Sequence, residues 1–184
     1  YVCVHPGSQL ASRRWSPESF GKVAARLSTL GLRIVLTGTA AERSLTRAVA
    51  AAGAGDAVDL AGETSLGAVA ALIAGARLLV CNDTGVSHIA AALAVPSVVV
   101  LCSAHPYRWE PLDEPRDGVL WHPRACQPCA HSECPIGHPC ATGVAPAAVI
   151  AAAVEMLDAR RAGGKAARAG ERTRAPSAGR RVVH

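Results

Sequence analysis

The segment NDTG at residues 82–85 stands between an apolar stretch and an alanine-rich one, and its residue types suit an anionic ligand. Gly85 allows a ligand to approach the backbone closely, and the free amides at the start of a helix attract phosphate. Thr84 adds a hydroxyl donor, and His88 follows about one helical turn later, so it can face the same ligand. Asp83 suits sugar hydroxyls better than a phosphate. The alternative is structural: Asp83 or Thr84 caps the helix, and His88 is packed inside the protein.

Two further groups of polar residues follow apolar stretches. Arg13 and Arg14 offer two guanidinium groups, whose planar forks donate hydrogen bonds to phosphate in pairs, although both could be ordinary surface charges. Glu42 opens a helix after the segment TGTAA, a position where the helix dipole favours a carboxylate in any case. The chain contains neither GxGxxG nor the P-loop pattern. The sequence therefore supports neither a dinucleotide-binding dehydrogenase nor a P-loop NTPase.

Seven cysteines fall into two groups. Three lie in apolar stretches and are interpreted as small core residues: Cys3, Cys81 and Cys102. Four form a cluster with the spacing C-x2-C-x4-C-x5-C, which also encloses two histidines: Cys126, Cys129, Cys134 and Cys140. Four thiolates at such short spacings could form a tetrahedral, structural zinc site. Disulfide or redox pairing and free thiols are the alternatives, and the sequence leaves all three open.

Apolar stretches alternate with helical patterns along the chain. The predicted strands are 1–5, 32–38, 57–62, 77–83 and 96–103. The predicted helices are 17–30, 39–53, 65–76, 85–94 and 145–160. This alternation predicts an α/β fold, a Rossmann-like parallel sheet with helices on both faces. Because ligands bind at the carboxyl ends of such strands, the polar loops should share one ligand-binding edge.

The chain of 184 residues is long enough for one domain with a substantial core, which we predict over residues 1–160 with a cysteine-rich loop at 126–140. From Arg160 onward the chain carries eight basic residues and one acidic residue. Residues 161–184 are therefore predicted to be a basic, disordered tail. No apolar run is long enough to span a membrane, and the lack of interleaved aromatic residues argues against nucleic-acid binding. Because the chain opens inside a predicted strand, it is interpreted as part of a longer protein.

Several segments together resemble the C-terminal half of the family 9 glycosyltransferases, the ADP-heptose:lipopolysaccharide heptosyltransferases and their relatives. The resemblance covers residues 1 to about 150 and includes HPGS, RRW, TGTAAE and the long segment DLAGETSLGAVAALIAGARLLVCNDTGVSHIAAALAVPSVVVL. It implies a GT-B architecture of two Rossmann-like domains, in which the C-terminal domain binds the nucleotide-sugar donor. It also implies an inverting, metal-independent transfer that requires no cofactor.

The resemblance implies donor-binding roles for seven residues: Ser8, Arg13, Glu42, Asp83, Thr84, Gly85 and His88. By position, the last four would contact the diphosphate and the sugar, and Ser8 would meet the diphosphate. Glu42 would hold the ribose of the nucleoside, and the segment 60–62 lies where the base is expected. The family usually has lysine where this chain has Arg13, which keeps the charge but changes the reach and the hydrogen-bond geometry.

No catalytic residue is expected in this chain, because in this family the general base that activates the acceptor comes from the N-terminal domain, which we take to be missing. The expected partners are an ADP-heptose-like donor, a glycan or glycolipid acceptor of the lipopolysaccharide-core type, and that N-terminal domain. The expected location is the cytoplasm, with peripheral contact at the inner face of the cell membrane. The alternative is a stand-alone nucleotide- or zinc-binding interaction module, or an inactive remnant. The sequence identifies neither the sugar nor the acceptor.

Overall fold

A computed structural model describes residues 1–106 and 117–172 of the chain. The described residues form one sheet of six strands: β1 (Val2–His5), β2 (Ile34–Leu36), β3 (Val58–Asp59), β4 (Leu78–Asn82), β5 (Ser97–Leu101) and β6 (Asp117–Trp121). They also form six helices: α1 (Pro17–Thr29), α2 (Arg43–Ala51), α3 (Leu66–Gly75), α4 (Gly85–Ala92), α5 (Pro139–Thr142) and α6 (Pro146–Arg172). Two short 3-10 turns, Ala11–Arg13 and Ala40–Glu42, follow β1 and β2.

The strand order in the sheet is β3-β2-β1-β4-β5-β6, and every neighbouring pair is parallel. From β1 the chain moves outward through β2 and β3, then returns to place β4 on the other side of β1. The pairing of β1 with β4 runs from Val2 opposite Leu78 to His5 opposite Cys81. Loops on the two sides of this junction leave in opposite directions, which opens a crevice at the carboxyl ends of β1 and β4.

The central strands are buried on both faces, as their uninterrupted apolar sequences predict. All residues of β1, β4 and β5 are buried. Successive side chains alternate between the faces, so Val2 and Val4 belong to one core cluster and Cys3 to the other. The first cluster includes apolar residues of α1, α2 and α6, and the second includes residues of α3 and α4. The prediction of a parallel α/β sheet with helices on both faces is confirmed.

The helix α1 begins as its sequence predicts. Ser16 Oγ accepts a hydrogen bond from the Ser19 backbone amide at 3.1 Å, and Pro17 occupies the first turn, where no backbone amide is needed. Gly31, just beyond the end of the helix, has a φ of +79°, a left-handed conformation that glycine adopts without strain. These residues therefore determine both ends of α1, the helix that follows the polar loop after β1.

The structure differs from the predicted elements in several respects: β3 is limited to Val58–Asp59, and α5 is not predicted. β6 is not predicted from the sequence, because its residues 118–121 are only half-buried at the sheet edge and form no long apolar run. The predicted helix 39–53 begins as the separate turn Ala40–Glu42. α6 continues to Arg172 through alanine-rich sequence, beyond the boundary predicted at residue 160, and residues 173–184 of the predicted tail lie outside the described residues. Neither α6 nor any other helix within the described residues is long and apolar enough to cross a bilayer.

Candidate functional site

A cavity of about 800 Å³ lies at the carboxyl end of the sheet, where the loops after β1, β2 and β4 converge. Each loop contributes polar lining: Ser8, Arg14, Thr39, Glu42 and Thr84. The facing wall is apolar and comes from α3 and α4: Leu66, Val69, Val86 and Ile89. A few convergent polar groups against an apolar wall are typical of a small-molecule site. A smaller cavity of about 470 Å³ lies at the opposite edge, at the amino ends of β2 and β3.

Asn82, the last residue of β4, joins the loop after β1 to the start of α1. It is fully buried, its side-chain amide donates to the Pro6 carbonyl at 2.8 Å, and its Oδ1 accepts from the Trp15 backbone amide at 2.9 Å. Trp15 Nε1 in turn donates to the Val144 carbonyl at 3.1 Å. Asn82 therefore ties together the two strand ends between which the cavity opens. Sequence reasoning assigned it no role, although a polar residue that ends a buried strand is a usable signal.

The Glu42 carboxylate is a buried part of the cavity wall. Its Oε2 accepts hydrogen bonds from the backbone amide and the hydroxyl of Thr39, at 2.8 and 2.9 Å, which completes a capping box. Its other oxygen, Oε1, lies against Gly7, where the β-carbon of any larger residue would overlap the carboxylate. Glu42 thus both caps a turn and lines the cavity, and Oε1 takes no part in the capping bonds.

His5, the last residue of β1, is a cavity residue that sequence reasoning missed, although it opens the HPGS segment. Its Nδ1 lies 3.0 Å from Thr37 Oγ1, and its ring is buried. Burial lowers the pKa of His5 below its ordinary value, while the negative charge of Glu42 opposes this shift in part. The ring therefore favours its neutral form within the site.

We expect His5 to make the protein less stable in mild acid. A histidine whose pKa is lower in the folded chain than its unfolded value of about 6.5 binds fewer protons when folded. The contribution of neutral His5 to the free energy of unfolding is therefore present above about pH 6.5. It is lost as the pH falls towards the pKa of His5 in the folded protein. Thermal denaturation followed at several pH values should show this fall. His5→Asn keeps a polar atom near Thr37 but does not titrate, so its curve should be flatter, and parallel curves for the two proteins would contradict the prediction.

The start of α4 presents its free backbone amides beside the cavity. Thr84 is the N-cap residue, yet its side chain makes no capping hydrogen bond. Gly85 is exposed, and a β-carbon added there would meet nothing within 4 Å. The structural alternative for Thr84, a role as side-chain cap, is therefore not observed. The sequence predicts that an anion binds at this corner. The backbone at Thr84 and Gly85 is open enough for a ligand to approach closely.

The structure gathers part of the predicted site. Four of the seven predicted donor-binding residues line the cavity: Ser8, Glu42, Thr84 and Gly85. Three do not line it: Arg13, Asp83 and His88. Asp83 precedes α4, and His88 lies one turn into it. The structural alternative required His88 to be packed inside the protein, but His88 is exposed. Their roles stay predictions.

In the loop after β1, Arg14 rather than Arg13 lines the cavity. Arg14 Nε donates to the Ser8 carbonyl at 2.9 Å, which holds the side chain across the loop. Arg13 is half-buried, and its Nε is a buried donor that has no hydrogen-bond partner within residues 1–106 and 117–172. Arg13 ends the turn Ala11–Arg13 and Arg14 follows it, and only Arg14 reaches the cavity. The spacing of the two arginines in the sequence does not predict which of them does so.

The segment 60–62, predicted to lie near the base, is adjacent to the cavity but does not line it. Its Gly62 amide donates to the Gly38 carbonyl at 2.9 Å, and the Ala61 carbonyl accepts two hydrogen bonds from the Arg43 guanidinium at 3.0 and 3.1 Å. The residues that do reach the cavity come slightly later, at Thr64 and Leu66.

The clustered cysteines form no metal-binding arrangement: among the side chains that the structure describes, no three His, Cys, Asp or Glu residues are placed to hold a metal ion. All seven cysteines are free thiols. Cys140 packs in the core, whereas Cys126 is exposed. Burial raises the pKa of the Cys140 thiol, which disfavours the thiolate that a metal requires. A zinc site formed by Cys126, Cys129, Cys134 and Cys140 therefore stays a prediction that the observed geometry does not support.

We expect Cys126 to be the first thiol to react in the native protein. It is exposed, whereas four cysteines are buried: Cys3, Cys81, Cys102 and Cys140. Titration with a chromogenic disulfide reagent should modify Cys126 rapidly and these four only after denaturation. Protein denatured without reductant or chelator should show all seven thiols. A lower total would reveal a disulfide and would contradict the free-thiol state.

Known proteins resemble this chain in sequence over most of its length. Residues 1–139 match the family model of glycosyltransferase family 9 (heptosyltransferase). The lipopolysaccharide heptosyltransferase 2 of Salmonella typhimurium is 32% identical over 112 residues, which are 58% of this chain and 32% of that protein. The lipooligosaccharide heptosyltransferase 2 of Haemophilus influenzae is 31% identical over 114 residues, which are 59% of this chain and 33% of that protein. The matching segment thus spans about a third of the length of these curated relatives.

Solved structures share the fold. The E. coli ADP-heptose lipopolysaccharide heptosyltransferase II superposes with a TM-score of 0.76 at 25% identity, over 87% of this chain and 47% of that chain. The E. coli heptosyltransferase WaaC with ADP gives a TM-score of 0.69 at 24% identity, over 85% of this chain and 44% of that chain, and shows likeness of fold alone. Because the family model matches residues 1–139, most of this chain, the chain belongs to glycosyltransferase family 9.

Proposed function

We propose that this chain is the donor-binding half of a heptosyltransferase-like glycosyltransferase. It binds an ADP-activated sugar for inverting transfer to a glycan acceptor of the lipopolysaccharide-core type. The observation that carries the proposal is the cavity at the junction of β1 and β4, where the start of α4 faces an arginine and a carboxylate. The names of the matching heptosyltransferases, and of the E. coli structure with ADP, support this donor class. Because the match covers a third of the curated relatives, the activity of the whole protein is part of the proposal.

In this proposal the diphosphate lies at the start of α4, where the free amides and the positive end of the helix dipole attract it. Thr84 offers a hydroxyl that caps nothing, and Gly85 leaves open space for close approach. Arg14 approaches from the loop after β1, already oriented by its hydrogen bond to the Ser8 carbonyl. A guanidinium held in this way loses less conformational freedom when it pairs with a diphosphate.

The nucleoside lies on the β2 side of the cavity. Glu42 Oε1 accepts hydrogen bonds from the ribose hydroxyls, while Thr39 holds Oε2 in place. Leu66 and Val69 offer an apolar surface to the base, close to the segment 60–62. This division assigns the polar wall to the ribose and the diphosphate and the apolar wall to the base.

Inverting transfer requires two groups on opposite faces of the sugar. The diphosphate leaves on one face, while the acceptor hydroxyl, deprotonated by a general base, attacks from the other. This chain supplies the leaving-group side, where Arg14 and the amides of α4 balance the charge that develops on the diphosphate without a metal ion. Asp83 and His88 contact the sugar from the start of α4. We place the general base and the acceptor site in the N-terminal domain of a GT-B architecture.

Gly85→Ala should weaken ADP binding without reducing stability. The added β-carbon meets open space in the free protein, and alanine is the better helix former. The same methyl group occupies the space through which the diphosphate reaches the amides. Calorimetric titration should show ADP affinity reduced by about tenfold, a change of about 1.4 kcal/mol. Gly67→Ala is the matched control, because its β-carbon also meets open space in α3, and it should leave ADP affinity unchanged.

The proposal as a whole is tested by calorimetry with ADP and with an ADP-sugar. The wild-type chain should bind both ligands. The double variant Asp83→Ala/His88→Ala should lose affinity for the ADP-sugar more than for ADP, because these residues are assigned to the sugar. Equal heats from both proteins would contradict that assignment. A wild-type chain that binds no ADP would contradict the proposed function itself.

A further inference from the structure

We propose that His138, in the cysteine-rich loop, is a positioning residue for the diphosphate of the donor. It fixes the turn Ala11–Arg13 and, through that turn, the arginine that faces the cavity. The inference rests on the proposed function. It assigns a role to the cysteine-rich loop, none of whose residues lines the donor cavity. His138 does not line the cavity, so it acts through other residues.

The contact between His138 and the turn is direct. His138 Nε2 lies 2.7 Å from the backbone carbonyl oxygen of Ser12, the middle residue of the turn. A carbonyl oxygen only accepts hydrogen bonds, so Nε2 must carry the hydrogen, in the neutral ring or in the imidazolium. Nε2 is therefore the donor and the Ser12 carbonyl the acceptor of this hydrogen bond.

The same loop also binds the other two polar groups of Ser12. The Ser12 backbone amide donates to the Ser132 carbonyl at 2.9 Å, and its hydroxyl donates to the His131 carbonyl at 2.7 Å. Ser12 is buried, so each of these groups depends on the loop for its partner. The centre of the turn is thus held entirely by residues 131–138.

His138 is itself firmly anchored. Its backbone adopts a left-handed conformation with φ 60° and ψ 47°, which is uncommon for a residue other than glycine. Its amide donates to Cys134 Sγ at 3.1 Å, and its carbonyl accepts from the amides of Ala141 and Thr142 in α5. Ala141 packs in the core. The imidazole therefore connects the turn to the folded body of the protein, and the unusual backbone aims it there.

The turn leads straight into the cavity wall. Backbone hydrogen bonds from Arg13 to Leu10 and from Arg14 to Ala11, both 3.0 Å, close the turn around Ser12. Arg14 follows the turn and holds Ser8 through its hydrogen bond of 2.9 Å. A shift of Ser12 therefore moves the cation and the hydroxyl that the diphosphate meets, whereas Glu42 is held separately by Thr39.

Two substitutions separate this role from a merely structural one. His138→Asn tolerates the left-handed backbone, but its side chain is too short to reach the Ser12 carbonyl. His138→Gln extends an amide donor about as far as Nε2. ADP affinity should fall about fivefold to tenfold in His138→Asn and recover substantially in His138→Gln. The weak binding of adenosine, followed by saturation-transfer NMR, should be equal in all three proteins, because adenosine has no phosphate.

The outcomes distinguish the inference from the function on which it rests. A wild-type chain that binds no ADP overturns the proposed function. If the wild type binds ADP and His138→Asn binds it equally, or loses adenosine to the same extent, the positioning role is overturned and the function stands. Should His138→Asn not fold, the unmodified chain gives a second test. ADP should shift the imidazole ¹⁵N resonances of His138, and unchanged resonances at saturation overturn the inference.

Discussion

Replacing Asn82 with alanine should lower the free energy of unfolding by about 2–4 kcal/mol, because two buried backbone groups lose their partners at once. The Trp15 amide and the Pro6 carbonyl both bond to the Asn82 side chain in an environment that excludes water. Since the same bonds hold the ends of β1 and β4 together, ADP binding should be lost with them. Urea denaturation, with the midpoint and the slope measured separately, checks the change in stability.

Two companion variants show whether the effect belongs to these bonds. Asn82→Asp keeps an acceptor for the Trp15 amide but places an oxygen against the Pro6 carbonyl, so it should also destabilise, and more strongly as the carboxyl ionises. Ser16→Ala removes only the cap of α1, which costs about 1 kcal/mol, and should leave ADP affinity unchanged. An Asn82→Ala protein as stable as the wild type would show that neither backbone group relies on this side chain.

Gly7→Ala should reduce ADP affinity by at least about tenfold and lower the free energy of unfolding by about 1–2 kcal/mol. The new β-carbon would overlap the Glu42 carboxylate. That carboxylate is the end of a side chain and can move aside, but only by giving up the capping bonds that hold it. The movement breaks its hydrogen bonds to Thr39 and displaces the oxygen that we assign to the ribose. Calorimetry with ADP, together with the thermal midpoint, measures the two effects separately.

The control for Gly7→Ala is Gly67→Ala, which adds the same methyl group where nothing lies within 4 Å. It should raise helix stability slightly and leave ADP affinity unchanged. An unaltered affinity in Gly7→Ala would mean that Glu42 does not contact the ligand. Loss of both fold and binding would instead mean that Glu42 cannot move, and that its bonds to Thr39 hold the loop itself.

Most of the fold follows from the sequence, because buried parallel strands and amphipathic helices carry strong periodic signals. The continuous apolar runs predict β1, β4 and β5, and Ser16 with Pro17 predicts the start of α1. β6 escapes prediction because this edge strand is half-buried and has no continuous apolar run. Its position beside β5 depends on a pairing between distant parts of the chain, which local patterns do not contain.

The family resemblance supplies Ser8 and Glu42, and the rest of the site is predictable only where backbone chemistry determines it. The corner at Thr84 and Gly85 is recognisable because a glycine between a strand and a helix implies exposed amides. The choice between Arg13 and Arg14 depends on a 3-10 turn that distant residues hold in place. The bonds of Asn82 span more than 65 residues of sequence. Such long-range hydrogen bonds produce no periodic pattern in the sequence, so only the folded structure reveals them.

The central claim, that the carboxyl edge at the junction of β1 and β4 binds the ADP part of the donor, is tested most directly by NMR. Backbone amide resonances of the ¹⁵N-labelled chain are followed during titration with ADP. The account predicts the largest shifts at Ser8, Thr39, Thr84 and Gly85, with little change at Gly53 and Asp56 in the cavity at the opposite edge. Shifts concentrated at Gly53 and Asp56, or no shifts at millimolar ADP, would contradict it.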